Sequence, residues 1–277
     1  MPELPEVETV KNGLIKKVLQ KKITNCKVLY KGIIAYPDKE EFIKNITNQT
    51  INDIKRRGKF LMFELDDYYL ISHLRMEGKY FIKEPIEKLN KHDHVIFTLN
   101  EKEELRYNDT RKFGKMHLVK KDELELTPIS KLGLEPWDEY LTPKYLKEKI
   151  NKNKAIKTLL LDQSIIVGIG NIYADEILFL SKINPETTGN NLTNKNLIDI
   201  IDNTKKVLEK AIAAGGTTIH TYTSVDGITG RFQQELLVHG RKSEPCPNCK
   251  EEILKIVVNG RGTYYCPKCQ KQKLSLR

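Results

Sequence analysis

Apolar residues return at helical spacing at the start of the chain. Val7, Val10, Leu14, Val18 and Leu19 share one face, which predicts a helix to about Gln20. From Ile23 to about Leu126 the pattern changes to short alternating runs broken by turn residues. Phe60–Leu65 and Tyr68–Leu74 about Asp66-Asp67 read as one hairpin, and His94–Leu99 and Leu105–Tyr107 as another. An antiparallel β-sandwich or barrel with the first helix packed on it is the simplest outcome. The strand pattern stops near Leu132-Gly133-Leu134-Glu135-Pro136-Trp137. Thr142-Pro143 then supplies an N-cap and a proline for the first helical position. Helical periodicity follows at about 143–152, 154–163, 171–182 and 193–214, the last with Leu197, Ile200, Ile201, Thr204, Leu208 and Ile212 on one face. Residues 215–230 are rich in Gly and Thr and have no period, as in a functional or disordered loop. From about Phe232, strands are expected around a cysteine cluster. The fold class is α+β: a strand-rich region 1–131, a linker 132–142, a helical region 143–240 and a cysteine-bearing tail 241–277.

Charge narrows the function. The chain has 277 residues, with 47 Lys+Arg against 37 Asp+Glu and a formal charge of +10, a balance suited to a polyanion such as nucleic acid. It has no apolar run long enough for a membrane span, and its acidic start is unlike a signal peptide, so a cytoplasmic protein is expected. In that reducing compartment five cysteines argue for metal binding rather than disulfides.

Cys246-Pro-Asn-Cys249 and Cys266-Pro-Lys-Cys269, sixteen residues apart, have the spacing of a tetrahedral zinc ribbon. Four thiolates leave no position open for catalysis, so one structural Zn²⁺ is expected, replacing a core that so short a segment cannot supply. Residues 241–277 carry nine Lys/Arg against three acids. With about −2 on the zinc–thiolate centre the segment stays near +4, as in a phosphate-binding finger. Between the knuckles, Val257–Tyr265 reads as a hairpin with Asn259-Gly260-Arg261-Gly262 at its tip; Arg261 is either a phosphate contact or a solvated turn residue. Cys26 reads as a core thiol.

Other stretches admit two readings each. Once Met1 is removed, Pro2 is a secondary amine, and an α-amino group titrates near 8, low enough to supply a neutral nucleophile at pH 7. Glu3 and Glu6 are near enough to move protons. Equally, Pro5 is the first residue of a helix and the glutamates favour its positive end. Gly168-Ile-Gly-Asn171-Ile ahead of a helix suits a phosphate cradle or a plain N-cap at Asn171. Lys59, taken alone, is a solvated charge. Met76, Arg111 and Phe113 on loop tips suit a wedge in a base stack, or else Met and Phe belong to the core. His92 and His94 do not complete a metal site.

Together these pieces resemble one family across essentially the whole chain, the bacterial formamidopyrimidine-DNA glycosylases, which remove 8-oxoguanine and cleave abasic sites. The matching stretches are Pro2-Glu-Leu-Pro-Glu6, Arg57-Gly58-Lys59, His73-Leu-Arg-Met-Glu77, Asn108-Asp-Thr-Arg-Lys-Phe113, Gly168-Ile-Gly-Asn-Ile-Tyr-Ala174, Gly215-Gly-Thr-Thr218 and the terminal zinc ribbon. The resemblance implies a helix-two-turn-helix domain after the β-sandwich, double-stranded DNA with oxidised bases or abasic sites as partner, a monomer, and no organic cofactor. It implies that Pro2 attacks C1′ of a flipped nucleotide, with Glu3 shuttling protons, Glu6 positioning the sugar and Lys59 completing the catalytic set. Lys59, His73, Asn171 and Arg261 hold phosphates on this reading. Met76, Arg111 and Phe113 fill the vacated stack, Arg111 facing the orphaned cytosine. Glu77 and the loop residues Thr217, Thr218, Ile219, His220, Thr221, Tyr222 and Thr223 read the damaged base. The chain departs from the family at His220, where arginine is frequent. The alternatives are an endonuclease VIII-like enzyme for oxidised pyrimidines, which usually has glycine at the position of Leu4, and a non-catalytic zinc-ribbon DNA-binding protein, which leaves the Pro-Glu pair unexplained.

Overall fold

The computed structural model describes residues 1–217 and 230–272. The chain divides into two compact units: Met1–Lys131 with Gly215–Arg231, and Leu132–Ala214 with Phe232–Arg277. The segment that leaves the last long helix thus belongs by its contacts to the N-terminal unit. Among the described residues, no helix is long and apolar enough to cross a membrane.

In the first unit α1 (Leu4–Val18) buries Val7, Val10, Leu14 and Val18. It stops short of Gln20 because Leu19 is extended and Gln20 is left-handed, at φ 61°. The four-stranded sheet has the order β1 (Ile23–Val28), β7 (Asp93–Leu99), β8 (Glu103–Asn108), β6 (Lys79–Lys83). The five-stranded sheet runs β2 (Ile34–Tyr36), β9 (Lys115–Lys120), β5 (Tyr68–His73), β4 (Phe60–Glu64), β3 (Asp53–Arg57). Both expected hairpins form, as β4–β5 and β7–β8. One pairing departs from an all-antiparallel sandwich: β2 lies parallel to β9. Parallel neighbours need a long connection, and residues 37–114 intervene between these two strands. A second departure is α2 (Lys39–Ile46), within the stretch expected to hold only strands. Asp38 caps it by accepting from the Glu41 amide, and Phe42 and Ile46, one turn apart, are buried. After β9 the chain forms short 3-10 turns rather than further strand, over Leu124–Leu126 and Pro128–Lys131. The core is one cluster in which α1 meets Ile54, Leu61, Phe63, Tyr80, Phe97, Leu105, Tyr107 and Leu118 from both sheets. Cys26 lies in it, and burial pushes its thiol up to about 12.

The second unit begins in the stretch expected to be linker. Leu134 bridges Ile166 in parallel fashion, and the Gly133 amide donates to the Gln163 carbonyl at 2.9 Å. Four helices follow at the expected places: α3 (Pro143–Ile150), α4 (Ile156–Leu160), α5 (Asn171–Leu180) and α6 (Asn194–Ala213). Thr142 caps α3 by accepting from the Tyr145 amide. Thr193 and Asn196 form a capping box on α6, whose buried face carries Leu197, Ile200, Ile201, Thr204, Val207 and Leu208. Phe232–Glu235 is a 3-10 turn and not a strand. The strands near the cysteines are the hairpin β10 (Leu254–Val258) and β11 (Arg261–Tyr265). Its two-residue turn is Asn259-Gly260, at φ 46° and 74°, as a type I′ turn requires. Arg261 is therefore the exposed first residue of a strand, paired with Val258, rather than part of the tip.

Candidate active site and nucleic-acid interface

The N-terminal helix positions its own carboxylates. Glu3 is the N-cap and Glu6 the third helical residue, and the two form a reciprocal capping box in which the Glu3 amide donates to Glu6 Oε2 at 2.8 Å. Pro5 is the second helical residue, one later than expected, because Leu4 opens the helix. Pro2, Glu3 and Glu6 are all buried, while Met1 is 48% exposed.

Glu6 has a second task. Its Oε1 accepts the Thr217 amide at 2.7 Å and the Thr217 hydroxyl at 3.1 Å. Gly216 passes so close that a Cβ there would lie 2.7 Å from the same oxygen, and its φ of 80° is itself a glycine conformation. Thr217 bridges Arg231, and a Cβ on Gly230 would lie 2.2 Å from the Gly216 carbonyl oxygen. The two ends of the 215–230 segment are thus pinched together against the carboxylate that also holds the N-terminus. Thr218, Ile219, His220, Thr221, Tyr222 and Thr223 lie outside the described residues.

Sheet register gathers the next group. Phe60 pairs with His73 and His73 with Lys115, so the β3–β4 turn, the end of β5 and the start of β9 share one end of the five-stranded sheet. Lys59 follows Gly58 (φ 55°) in that turn and is buried, not solvated. Arg56 ties the turn to α1, donating to Glu8 at 2.7 Å and to the Gly58 carbonyl at 3.1 Å. His73 packs edge-on against Phe60, and its Nδ1 accepts the Arg75 amide at 2.9 Å, which leaves the ring proton on Nε2. Burial first, and then the charges of Arg75 and Lys59, hold its pKa down to about 3. A neutral Nε2–H donor results. Beyond it Met76 is 37% exposed and Glu77 half-buried. Phe113 is 50% exposed, and the Arg111 guanidinium lies 4.8 Å from its ring centroid. Met76 and Phe113 are therefore not core residues.

In the second unit Asn171 is the first helical residue of α5 and Gly170 the cap, so the N-cap reading of Asn171 is set aside. Its Nδ2 donates to the Gly262 carbonyl at 3.0 Å. Lys157, fully buried, donates to that carbonyl at 3.0 Å, to Thr263 Oγ1 at 2.8 Å and to Asp175 Oδ1 at 2.7 Å. The other Asp175 oxygen takes His239 Nδ1 at 2.7 Å and the Tyr264 amide at 3.2 Å. Glu176 accepts the successive amides of Leu237, Val238 and His239. The strand that begins with Arg261 is thus fastened to α4 and α5 by side chains that sequence reasoning passed over, since helical periodicity marks which face is buried and not which buried residues are ionic.

The four cysteine sulfurs lie within 4.8 Å of one another, with Cys246–Cys269 at 3.9 Å and Cys249–Cys266 at 3.5 Å. A tetrahedron with Zn–S near 2.3 Å has S–S edges of about 3.8 Å, so the set fits zinc. Burial, then the neighbouring thiols, push Cys266 and Cys269 up. Four sulfurs this close ionise together only around a cation.

Residues 1–116 match the formamidopyrimidine-DNA glycosylase N-terminal domain, 132–223 the formamidopyrimidine-DNA glycosylase H2TH domain and 243–272 the zinc finger found in FPG and IleRS. The formamidopyrimidine-DNA glycosylase of Bacillus subtilis is 49% identical over 260 residues, covering 93% of this chain and 94% of that protein. This chain belongs to the formamidopyrimidine-DNA glycosylase family. The family's enzyme from Ligilactobacillus salivarius is likewise 49% identical over 260 residues, with 93% and 94% covered. Lactococcus lactis Fpg in complex with abasic-site DNA superposes with a TM-score of 0.92 at 42% identity, covering 98% of this chain and all of that one. A mutant of the same enzyme bound to DNA containing Fapy-dG gives the same values. The cysteine cluster is the family's zinc finger, with one structural zinc held by Cys246, Cys249, Cys266 and Cys269.

Proposed function

We propose that this chain is a bifunctional glycosylase and abasic-site lyase of base-excision repair, removing oxidised purines from double-stranded DNA. The observation that carries this reading is Glu6, which joins the Pro2-Glu3 terminus to the entry of the 215–230 segment through hydrogen bonds of 2.7 to 3.1 Å. Family membership and the Fapy-dG and abasic-site complexes of Lactococcus lactis Fpg support it.

The chemistry follows from an amine meeting a sugar carbon. With Met1 removed, the Pro2 nitrogen attacks C1′ of an extruded nucleotide as the glycosidic bond breaks and the base leaves. Glu3 moves protons at the opened sugar and Glu6 holds the terminus in position. The resulting iminium acidifies C2′; β-elimination then expels the 3′ phosphate and δ-elimination the 5′ phosphate, leaving a one-nucleotide gap. Lys59, the neutral His73 and Arg261 donate to phosphates, and Asn171 does so with the amide hydrogen that Gly262 leaves over. Met76, Arg111 and Phe113 fill the vacated stack, as a kinked duplex requires, with Arg111 toward the orphaned cytosine. Glu77 and residues 217–223 read the base. Zinc fixes the finger and takes no part in bond breaking. We also read the chain as a monomer, and as cytoplasmic because four of its cysteines gather around a metal rather than in disulfides.

Borohydride tests the reading. The mature protein is expected to be trapped covalently on duplex DNA containing 8-oxoguanine, and Pro2→Gly or retention of Met1 to abolish the adduct. A native protein that binds this duplex without forming an adduct would be the non-catalytic alternative; faster trapping on oxidised pyrimidines would favour the endonuclease VIII-like one.

A further inference from the structure

Resting on the wedge reading above, we propose that the Tyr107 hydroxyl and the Asp109 carboxylate form one positioning unit. It holds the Met76 turn and the Arg111–Phe113 turn at a set spacing, and through that spacing it sets discrimination of the base opposite the lesion. The wedge comes from two turns distant in sequence, so something must hold them in register against a base stack.

Tyr107 lies in β8, fully buried, with its ring 5.2 Å from that of its cross-strand partner Tyr80. Its hydroxyl reaches the place where both turns close. A Cβ on Gly78 would lie 2.3 Å from that oxygen, and one on Gly114 1.6 Å. Gly78 closes the Met76 turn, its amide donating to the Leu74 carbonyl at 2.9 Å. Gly114 closes the other, its amide donating to Asp109 Oδ2 at 2.8 Å. That same oxygen accepts the Tyr107 hydroxyl at 3.4 Å. Among the described residues, only this hydroxyl is wedged against the closing glycine of both turns.

Asp109 fixes the rest of its turn. Its Oδ1 accepts the Arg111 amide at 2.9 Å. Its own amide donates to the His92 carbonyl at 3.0 Å, and its carbonyl meets His94 Nε2 at 2.8 Å and the Lys112 amide at 3.3 Å. The residue has no solvent exposure. A buried carboxylate that loses a donor has no water to replace it, so the turn cannot shift by a fraction of an ångström without cost. The Arg111–Phe113 stack stands on this base.

Tyr107→Phe removes one oxygen at the junction and keeps the ring. Asp109→Asn keeps the shape and turns an amide donor toward the Gly114 amide. The readouts are excision of 8-oxoguanine opposite cytosine against adenine, KM and kcat separately, and borohydride trapping on a single-stranded abasic oligonucleotide, which has no opposite base. For both variants we expect the cytosine-to-adenine ratio to fall at least tenfold through KM for the duplex, with single-strand trapping within twofold of wild type. If wild type itself is not trapped or does not discriminate, the functional reading fails. If wild type discriminates, Phe113→Ala loses discrimination and Tyr107→Phe keeps it, the positioning inference alone fails. It fails also if single-strand trapping drops in step with duplex excision, because the hydroxyl then serves the fold as a whole.

Discussion

Each unit presents an arginine on a β-turn or hairpin, and the two hold it by different physics. Arg111 stands on a turn whose root is a buried hydroxyl and a carboxylate that accepts the Arg111 and Gly114 amides, set in a large apolar core. Arg261 opens a strand whose local apolar cluster is small, with Cys246 and Cys266 among its few fully buried members. That strand is fastened instead by four thiolates and by the buried Lys157–Asp175–His239 chain. A core of many apolar side chains makes hydrogen bonds sufficient to aim a turn. A hairpin with little to bury needs a metal and paired charges to reach the same definition.

Removing the metal should have the largest effect. Structural zinc is worth about 10 kcal/mol or more in finger peptides at neutral pH, so chelation or Cys246→Ser should unfold the hairpin and weaken DNA binding at least tenfold by gel shift. The sandwich should survive, leaving a protease-resistant fragment of about residues 1–131. Unchanged binding would show that the finger is not a clamp.

Next come the buried charges. Lys157→Met leaves Asp175 Oδ1 without its cation and should destabilise the second unit by about 3–5 kcal/mol, and adding Asp175→Asn should recover part of that loss. Trp137, the single tryptophan, lies in this unit and donates to Glu209, so its fluorescence in urea follows the right half of the molecule. A double variant no more stable than the single one would mean the pair is not coupled.

A smaller loss is expected in the first unit from Gly216→Ala, about 1–3 kcal/mol from the positive φ alone and more if Glu6 cannot move aside. Calorimetry should register it without change in the Trp137 transition. No loss would mean that the 215–230 segment is not held at Glu6.

The mildest effect concerns pH. His73 is neutral when folded, with a pKa near 3, whereas the unfolded chain takes up a proton near 6.5. Stability from this group is complete above 6.5 and is lost as pH falls toward 3, by at most about 1.4 kcal/mol per unit. His73→Gln should flatten that slope in denaturant titrations between pH 6.5 and 5; an unchanged slope would assign it to other groups.

Much of this was legible in the order of residues. The zinc ligands, the four helices after Thr142 and both long hairpins are local patterns, in which spacing alone implies geometry. The α2 helix was legible too, in Asp38 and the Phe42–Ile46 spacing, but short alternating runs on either side masked it. The Asp109 turn also had a local signal, a side chain bonding the amide two residues on, though nothing local tells that Tyr107 closes the same turn. The parallel β2–β9 pairing, the burial of Lys59, the Glu6–Thr217 link and the Lys157–Asp175 pair had no local signal. Each joins residues far apart in the chain, and a side chain's charge says nothing of its partner until folding removes the water between them.

By itself, then, the sequence determined which groups were available: a proline behind Met1, two carboxylates three residues apart, four thiols at ribbon spacing and an excess of basic residues. Tertiary structure alone decided which groups were held rather than solvated. It turned Glu6 from a helix-end charge into the tie between the terminus and Thr217, and Asn171 from a possible cap into a brace for the finger strand. The physical reason is that composition and spacing set what a group can donate, accept or ionise, whereas burial and the approach of distant segments set which of those it is left to do.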